Sequence, residues 1–299
     1  MRKIFSIKAI LAVLMVITVQ NVCPISSIVY NLRISQTTKR FAFDSHLLNN
    51  SLSATFYSQF RKTYSDVYLR TLGILGTYIY LKPSYYLRVD AAGGNIKRTS
   101  CLLDQSQNQC DDVLFSGGYS FTPLEKVRIT CSGLFGVPTH SDRSLIEPQF
   151  GYGHIGLGAQ LDAAFLLTNN GHNLIRSAMR YIYFFKRDTT YEGQLYTFTA
   201  SNLIDLFFAY DHKWKTQRVE FGYNPTFAFK AQIKPFFQPI INQTNFIRSN
   251  FFGSYRYAFE VTQHPSSITA ALSYGFDHKP KTTGYARMVT AWCSWDIQF

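Results

Sequence analysis

The sequence predicts an all-β fold, an antiparallel up-and-down transmembrane β-barrel of about twelve strands. Three observations predict it. Apolar and aromatic residues recur at every second position over most of the chain, the period of strands with one apolar face. Aromatics make up 16 % of the residues, yet mean hydropathy is −0.08, which suits strands alternating between lipid and a polar lumen. The connections between strands also fall into a long set and a short set that alternate along the chain.

The N-terminus is read separately. Arg2, Lys3 and Lys8 flank the apolar stretch Ala9 to Val19, too short to span a bilayer but of the length of a signal-peptide core. Residues 1–26 are therefore assigned to a signal peptide, cleaved between about Gln20 and Ser27 by the usual region lengths. Gln20, Asn21 and Val22 before Cys23 depart from a lipoprotein box, so lipidation is not expected. Without the three cations the formal charge falls from +12 to +9. No run of five basic residues occurs, so the excess reads as scattered solvated charge and no nucleic-acid partner is expected. Residues 27–51 are polar and irregular, a periplasmic leader or a lumen segment.

The barrel is assigned to residues 52–299. Leu52, Ala54, Phe56 and Phe60 share the apolar face of the first strand. Val67 to Leu81 makes the second, with both faces fairly apolar, so its lipid side is not assigned. Lys82 to Ser84 turns the chain. Tyr85, Leu87, Val89 and Ala91 alternate with Arg88 and Asp90 in the third, before a long polar loop, Gly93 to Asp112. Val113 to Phe121 and Val127 to Phe135 form the fourth and fifth around the turn Pro123 to Lys126.

After the loop Pro138 to Pro148, the sixth strand has the clearest alternation, with Ile155, Leu157, Ala159, Leu161, Ala163, Phe165 and Leu167 on one face. Asn169, Asn170 and Gly171 supply a turn. Arg176 and Arg180 oppose Ile175, Met179, Tyr181, Tyr183 and Phe185 in the seventh, and Arg187 to Ala200 connects. Asp205 and Asp211 oppose Ile204, Leu206, Phe208 and Tyr210 in the eighth; His212 to Thr216 turns. Arg218 and Glu220 oppose Val219, Phe221 and Tyr223 in the ninth, where Pro225 is an objection to a paired strand. Gln232 to Asn250 connects to the tenth, whose polar side carries Ser254, Arg256 and Glu260. Gln263 to Ser266 turns into the eleventh, Ile268 to Phe276, and Asp277 to Gly284 leads to the last, Tyr285 to Phe299. A count of fourteen strands is not excluded by the pattern.

If the last strand ends in the periplasm, the five connections assigned outside are the long ones and the five assigned inside are short. That is the asymmetry of an outer-membrane barrel. The short first connection, Lys62 to Asp66, is the exception.

The chain resembles bacterial outer-membrane β-barrel proteins of the porin-like class from about Leu52 to Phe299, on the signal peptide, the alternation, the loop asymmetry and the terminal Phe299. No single family is singled out. The resemblance implies the bacterial outer membrane as the site of residence, outer-membrane lipid as surroundings, and the barrel-assembly machinery as a partner that reads Trp295, Ile297 and Phe299. It also implies a passive channel for small polar solutes. The alternatives are a non-conducting structural or adhesive surface barrel, an autotransporter-type translocator, which the short leader before Leu52 disfavours, and an outer-membrane enzyme.

The polar strand faces assign to the lumen the cations Arg88, Arg128, Arg176, Arg180, Arg218 and Arg256. They also assign to it the anions Asp90, Asp162, Asp205, Glu220, Glu260 and Asp296. Such rings bias which solutes pass a pore, or fill a narrow barrel with paired charge. Cys101 and Cys110 in one outer loop are a disulfide candidate in an exported protein. Cys131 and Cys293 are expected to face lipid as small hydrophobes. No CxxC or paired-His spacing suggests a metal, and no cofactor is implied. Thr139, His140, Ser141 and Asp142 are the one local cluster with catalytic residue types. Adjacent loop residues do not make a triad, and no enzyme activity is expected.

Overall fold

The computed structural model describes residues 50–63, 68–99, 104–110, 112–139, 154–169, 171–191, 194–198, 200–229, 232–235, 241–242, 246–279 and 285–299. The proposed signal peptide and all of the proposed leader but Asn50 and Ser51 lie outside the described residues, and Ser51 belongs to the first strand. Twelve antiparallel strands close into a barrel, and there is no helix among the described residues.

The strands are β1 (Ser51–Thr63), β2 (Tyr68–Leu81), β3 (Tyr85–Thr99), and β4 in two pieces, Asp104–Cys110 and Val113–Leu124. They continue with β5 (Val127–Val137), β6 (Gly156–Leu166), β7 (Asn173–Phe184) and β8 (Ser201–Trp214). The last are β9 in two pieces, Gln217–Tyr223 and Thr226–Phe229, then β10 (Phe246–Val261), β11 (His264–Lys279) and β12 (Tyr285–Gln298). Each strand pairs with its neighbours in the chain, and β12 returns to pair with β1 from Ser51 opposite Gln298 onward. Closure leaves no open sheet edge, which a strand surrounded by hydrocarbon could not satisfy.

Alternation is expressed as two faces. Along β8, Leu203, Asp205, Phe207, Ala209 and Asp211 are buried, while Phe208 and Tyr210 are exposed. The outward belt includes Leu87, Leu157, Phe221 and Leu272, each more than half exposed at 58 %, 54 %, 63 % and 59 %. Cys131 and Cys293 lie on that outer face too. In β2 the ambiguous faces resolve: Thr71, Leu75, Thr77, Ile79 and Leu81 turn inward, and Leu72 and Tyr78 outward. Its pattern was unreadable because the interior beside it is itself apolar.

The short turns gather at one end. Glu125 and Lys126, Lys215 and Thr216, and Thr262 and Gln263 each join two strands directly. Thr262 and Gln263 both have positive φ, 49° and 66°, the backbone of a type I′ hairpin turn. Phe299 lies at the same end, its N–H donating to the Asn50 carbonyl at 3.0 Å.

At the other end, several strand limits differ from the sequence reading. The expected loop Gly93 to Asp112 is largely a hairpin extension, Gly93 pairing with Cys110 and Thr99 with Asp104. Lys97, Thr99, Ser106 and Asn108 on it are exposed. The outer face there is polar, at Lys97 and Thr99, while Ile96 on the inner face is buried, so the apolar outward alternation stops while the strand continues. Phe246 to Asn250 likewise belongs to β10. The connections Arg187 to Ala200 and Gln232 to Asn250 are joined to each other: Gln194–Phe198 pairs with Arg187–Tyr191 and with Gln232–Pro235. Pro225 sits between the two pieces of β9, and its carbonyl accepts from Leu206 N–H at 2.9 Å. The proline thus interrupts the strand without ending it.

Candidate functional site: the barrel interior

The inner wall of β7, β8 and β9 carries a connected set of ion pairs. Arg180 contacts Asp205 through Nε at 3.0 Å and also through Nη2, while Thr226 Oγ1 donates to the other carboxylate oxygen at 2.7 Å. Arg176 donates to Asp211 and lies 2.8 Å from Glu220 Oε1. Arg218 Nε reaches the second oxygen of Asp211 at 2.8 Å, and Ser254 Oγ donates to Glu220 at 3.2 Å. Each of these carboxylates is therefore held by two groups, as burial of charge demands.

Arg88 forms a bidentate pair with Asp90, both bonds 2.8 Å, and Thr77 Oγ1 donates to Asp90 at 2.6 Å. The two residues are neighbours on one face because strand side chains repeat every second position. On β6, Gln160 Nε2 donates to both oxygens of Asp162, at 2.8 and 3.0 Å. Toward the long-loop end, Arg248 pairs with Asp277 through two bonds of 2.6 and 3.1 Å.

An apolar cluster packs beside these charges. Tyr57, Leu75, Ile96, Phe207, Phe252 and Trp292 form one buried apolar cluster inside the barrel. Phe207 stacks on Phe252 with ring centroids 5.4 Å apart, and the Arg176 guanidinium lies 5.3 Å from the Phe207 centroid, within cation–π range. Trp292 stands opposite Tyr57, Tyr57 opposite Gly73, and Gly73 opposite Gly94. Tyr57 occupies the space the glycines leave: a Cβ on Gly73 would lie 2.3 Å from Tyr57 Oη, and one on Gly94 would lie 2.0 Å from the Leu72 carbonyl oxygen. Hydroxyls line the wall beside this cluster, with Thr55 and Ser294 2.7 Å apart and Gln59 donating to Thr290 at 2.9 Å. Leu75, Arg176 and Phe207 are at 0 % exposure, so no water-sized probe touches them.

Of the residues assigned to the lumen from sequence, Arg88, Asp90, Asp162, Arg176, Arg180, Asp205, Arg218 and Glu220 are buried on the inner face. Arg128 and Arg256 are half-buried, and Arg128 donates to the Pro83 carbonyl at the short-turn rim. Asp296 is half-buried and accepts from Ser267. Glu260, on the same parity as Ser254 and Arg256, is exposed beside the Thr262–Gln263 turn. Trp295 is exposed on the outer face, and Ile297 and Phe299 are partly covered. The proposed Cys101–Cys110 pairing rests on Cys101, and the Thr139–Asp142 cluster on His140 and its successors, which lie outside the described residues.

Sequence reasoning left out Arg61, Asp211, Arg248 and Asp277 as lumen charges. For Arg248 and Asp277 the strand ends were set too short; extending each alternation outward would have found both. The interior aromatics Tyr57, Phe207, Phe252 and Trp292 occupy the polar parity of their strands, and period alone gives no signal for them.

No family model and no curated protein sequence matches the chain. Among solved structures it is similar to an outer membrane channel from Pseudomonas putida F1, with a TM-score of 0.61 and 12 % identity, over 84 % of this chain and 96 % of that one. It is also similar to the β domain of the Bordetella autotransporter BrkA, with a TM-score of 0.50 and 8 % identity, over 84 % of this chain and 100 % of that one. The class these likenesses define is a fold class, the closed barrel found in outer-membrane proteins.

Proposed function

We propose that the chain resides in a bacterial outer membrane and acts as a passive channel for small polar solutes. The observation that carries this reading is the pairing of an exposed apolar belt outside with buried charges inside one closed barrel. A belt of that extent in water would be an aggregation surface, whereas in hydrocarbon it is what a spanning barrel requires. Charged groups facing a lumen are the usual means of biasing permeation.

A second reading is a non-conducting surface barrel, favoured by the solvent-inaccessible Leu75, Arg176 and Phe207 inside it. Planar-bilayer recording of the refolded protein separates the two. Unitary currents are expected; correctly folded protein that yields none leaves the second reading. The assembly machinery is the proposed partner, reading Trp295, Ile297 and Phe299. Deleting Phe299 is expected to lower the amount of folded barrel in the outer membrane, and unchanged assembly would remove that partner from the proposal.

A further inference from the structure

At the short-turn end, Lys213, Arg218 and Arg256 belong to the inward parity of three adjacent strands. Arg218 stands directly opposite Lys213 on one side and directly opposite Arg256 on the other. Like charges opposite one another in a sheet are destabilising, so a row of three cations calls for an anion. Lys215, in the turn between β8 and β9, adds a fourth.

These four residues, with Gln298, help line a cavity of about 230 Å³, several times the roughly 30 Å³ share of one water. The acids nearby are committed elsewhere or turned away. Asp211 takes Arg218 Nε at 2.8 Å but is shared with Arg176. Glu220 pairs with Arg176 and accepts from Ser254. Asp296 accepts from Ser267, and Glu260 is exposed. One donor of the lining, Arg256 Nε, is buried without a hydrogen-bond partner.

We propose that this cavity binds a small oxyanion, a phosphate or carboxylate group, held by Arg218 and Arg256 with Lys213 supplying further charge. Guanidinium forks match both groups bidentately, and a bound anion turns the repulsive row into a shared clamp. The site itself is independent of conduction; its role as an anion-selecting step in a permeation path rests on the channel reading.

The test titrates inorganic phosphate into the refolded full-length protein at constant ionic strength, by calorimetry, with acetate as a second titrant. Saturable binding of either is expected, of phosphate alone for a phosphate site and of both for a general oxyanion site. Arg256→Gln is expected to weaken it about tenfold or more, as loss of a hydrogen bond to a charged group implies. Lys213→Gln is the second variant, at a half-buried position, and is expected to weaken binding by a smaller factor. Glu260→Gln, outside the cavity, should bind as the parent does. No saturable binding of either anion, or equal binding by folded Arg256→Gln and Lys213→Gln proteins, overturns the site. Reversal potentials across a salt gradient form a separate arm. Current without anion binding removes the site and keeps the channel; anion binding without current does the reverse.

Discussion

The inner wall of β7 to β9 holds charge in a network where each carboxylate has two partners, while the aromatic side of the interior is one apolar cluster drawn from several strands, with Tyr57 and Trp292 on β1 and β12 and Phe207 and Phe252 reaching it from β8 and β10. Both sets of side chains are buried, by different means. The ionic side satisfies its groups pair by pair, so its integrity depends on every member being present. The aromatic side depends on shape, on Tyr57 having no side chain opposite it at Gly73. A defect in the first leaves an unpaired charge; a defect in the second leaves a hole or a collision.

The largest expected effect is on the ionic side. Asp211 holds both Arg176 and Arg218, so Asp211→Asn leaves two buried cations short of a partner. Unfolding in urea should show a loss of about 3–5 kcal/mol, the cost of breaking a buried pair. Phe207→Ala tests the aromatic side at a fully buried position. A loss of similar size, about 3–5 kcal/mol, is expected from the cavity it leaves. The two differ in another readout: in bilayers Phe207→Ala should raise unitary conductance and leave ion selectivity unchanged. A selectivity change would blur the distinction between the two sides.

Gly94→Ala should cost about 1–3 kcal/mol, typical of overpacking, because its Cβ meets the backbone carbonyl of Leu72 rather than a flexible side chain. A neutral result would mean that β2 and β3 can spread apart. The smallest effect is outside both regions: Gln263→Gly relieves a φ of 66°, with an expected gain of up to about 1 kcal/mol. It serves as the baseline against which the interior variants are compared, measured by the same urea titration.

The barrel was legible in the sequence because its two surfaces differ in chemistry. Outward residues such as Leu157 and Phe221 are apolar and inward ones such as Arg180 and Asp205 are charged, so period two marks the strands and their faces together. The marking fails where a face departs from its type. Lys97 and Asn108 are polar residues on the outer face beyond the apolar belt, so that hairpin reads as loop. Tyr57 and Trp292 lie inside against other rings, so their strands show apolar residues at both parities. The ion pairs were legible as residue types at inward positions. Their partners were not, because which charge meets which depends on the stagger between strands, which no single strand records.

The seam between β1 and β12 has a consequence in time. Each of the other strand pairs of the barrel wall joins neighbours in the chain, but Thr55 and Ser294, bonded across the seam, are 239 residues apart in sequence. Long-range pairing is the slow part of folding, so hairpins can form one after another while this last joint stays open. Until it closes, Ser51 to Thr63 and Tyr285 to Gln298 are two exposed edges able to pair with another chain. The interval between completing the sheet and shutting it is therefore when this protein is most open to capture by foreign strands, and a factor that shields either edge would govern its yield more than one acting on any hairpin.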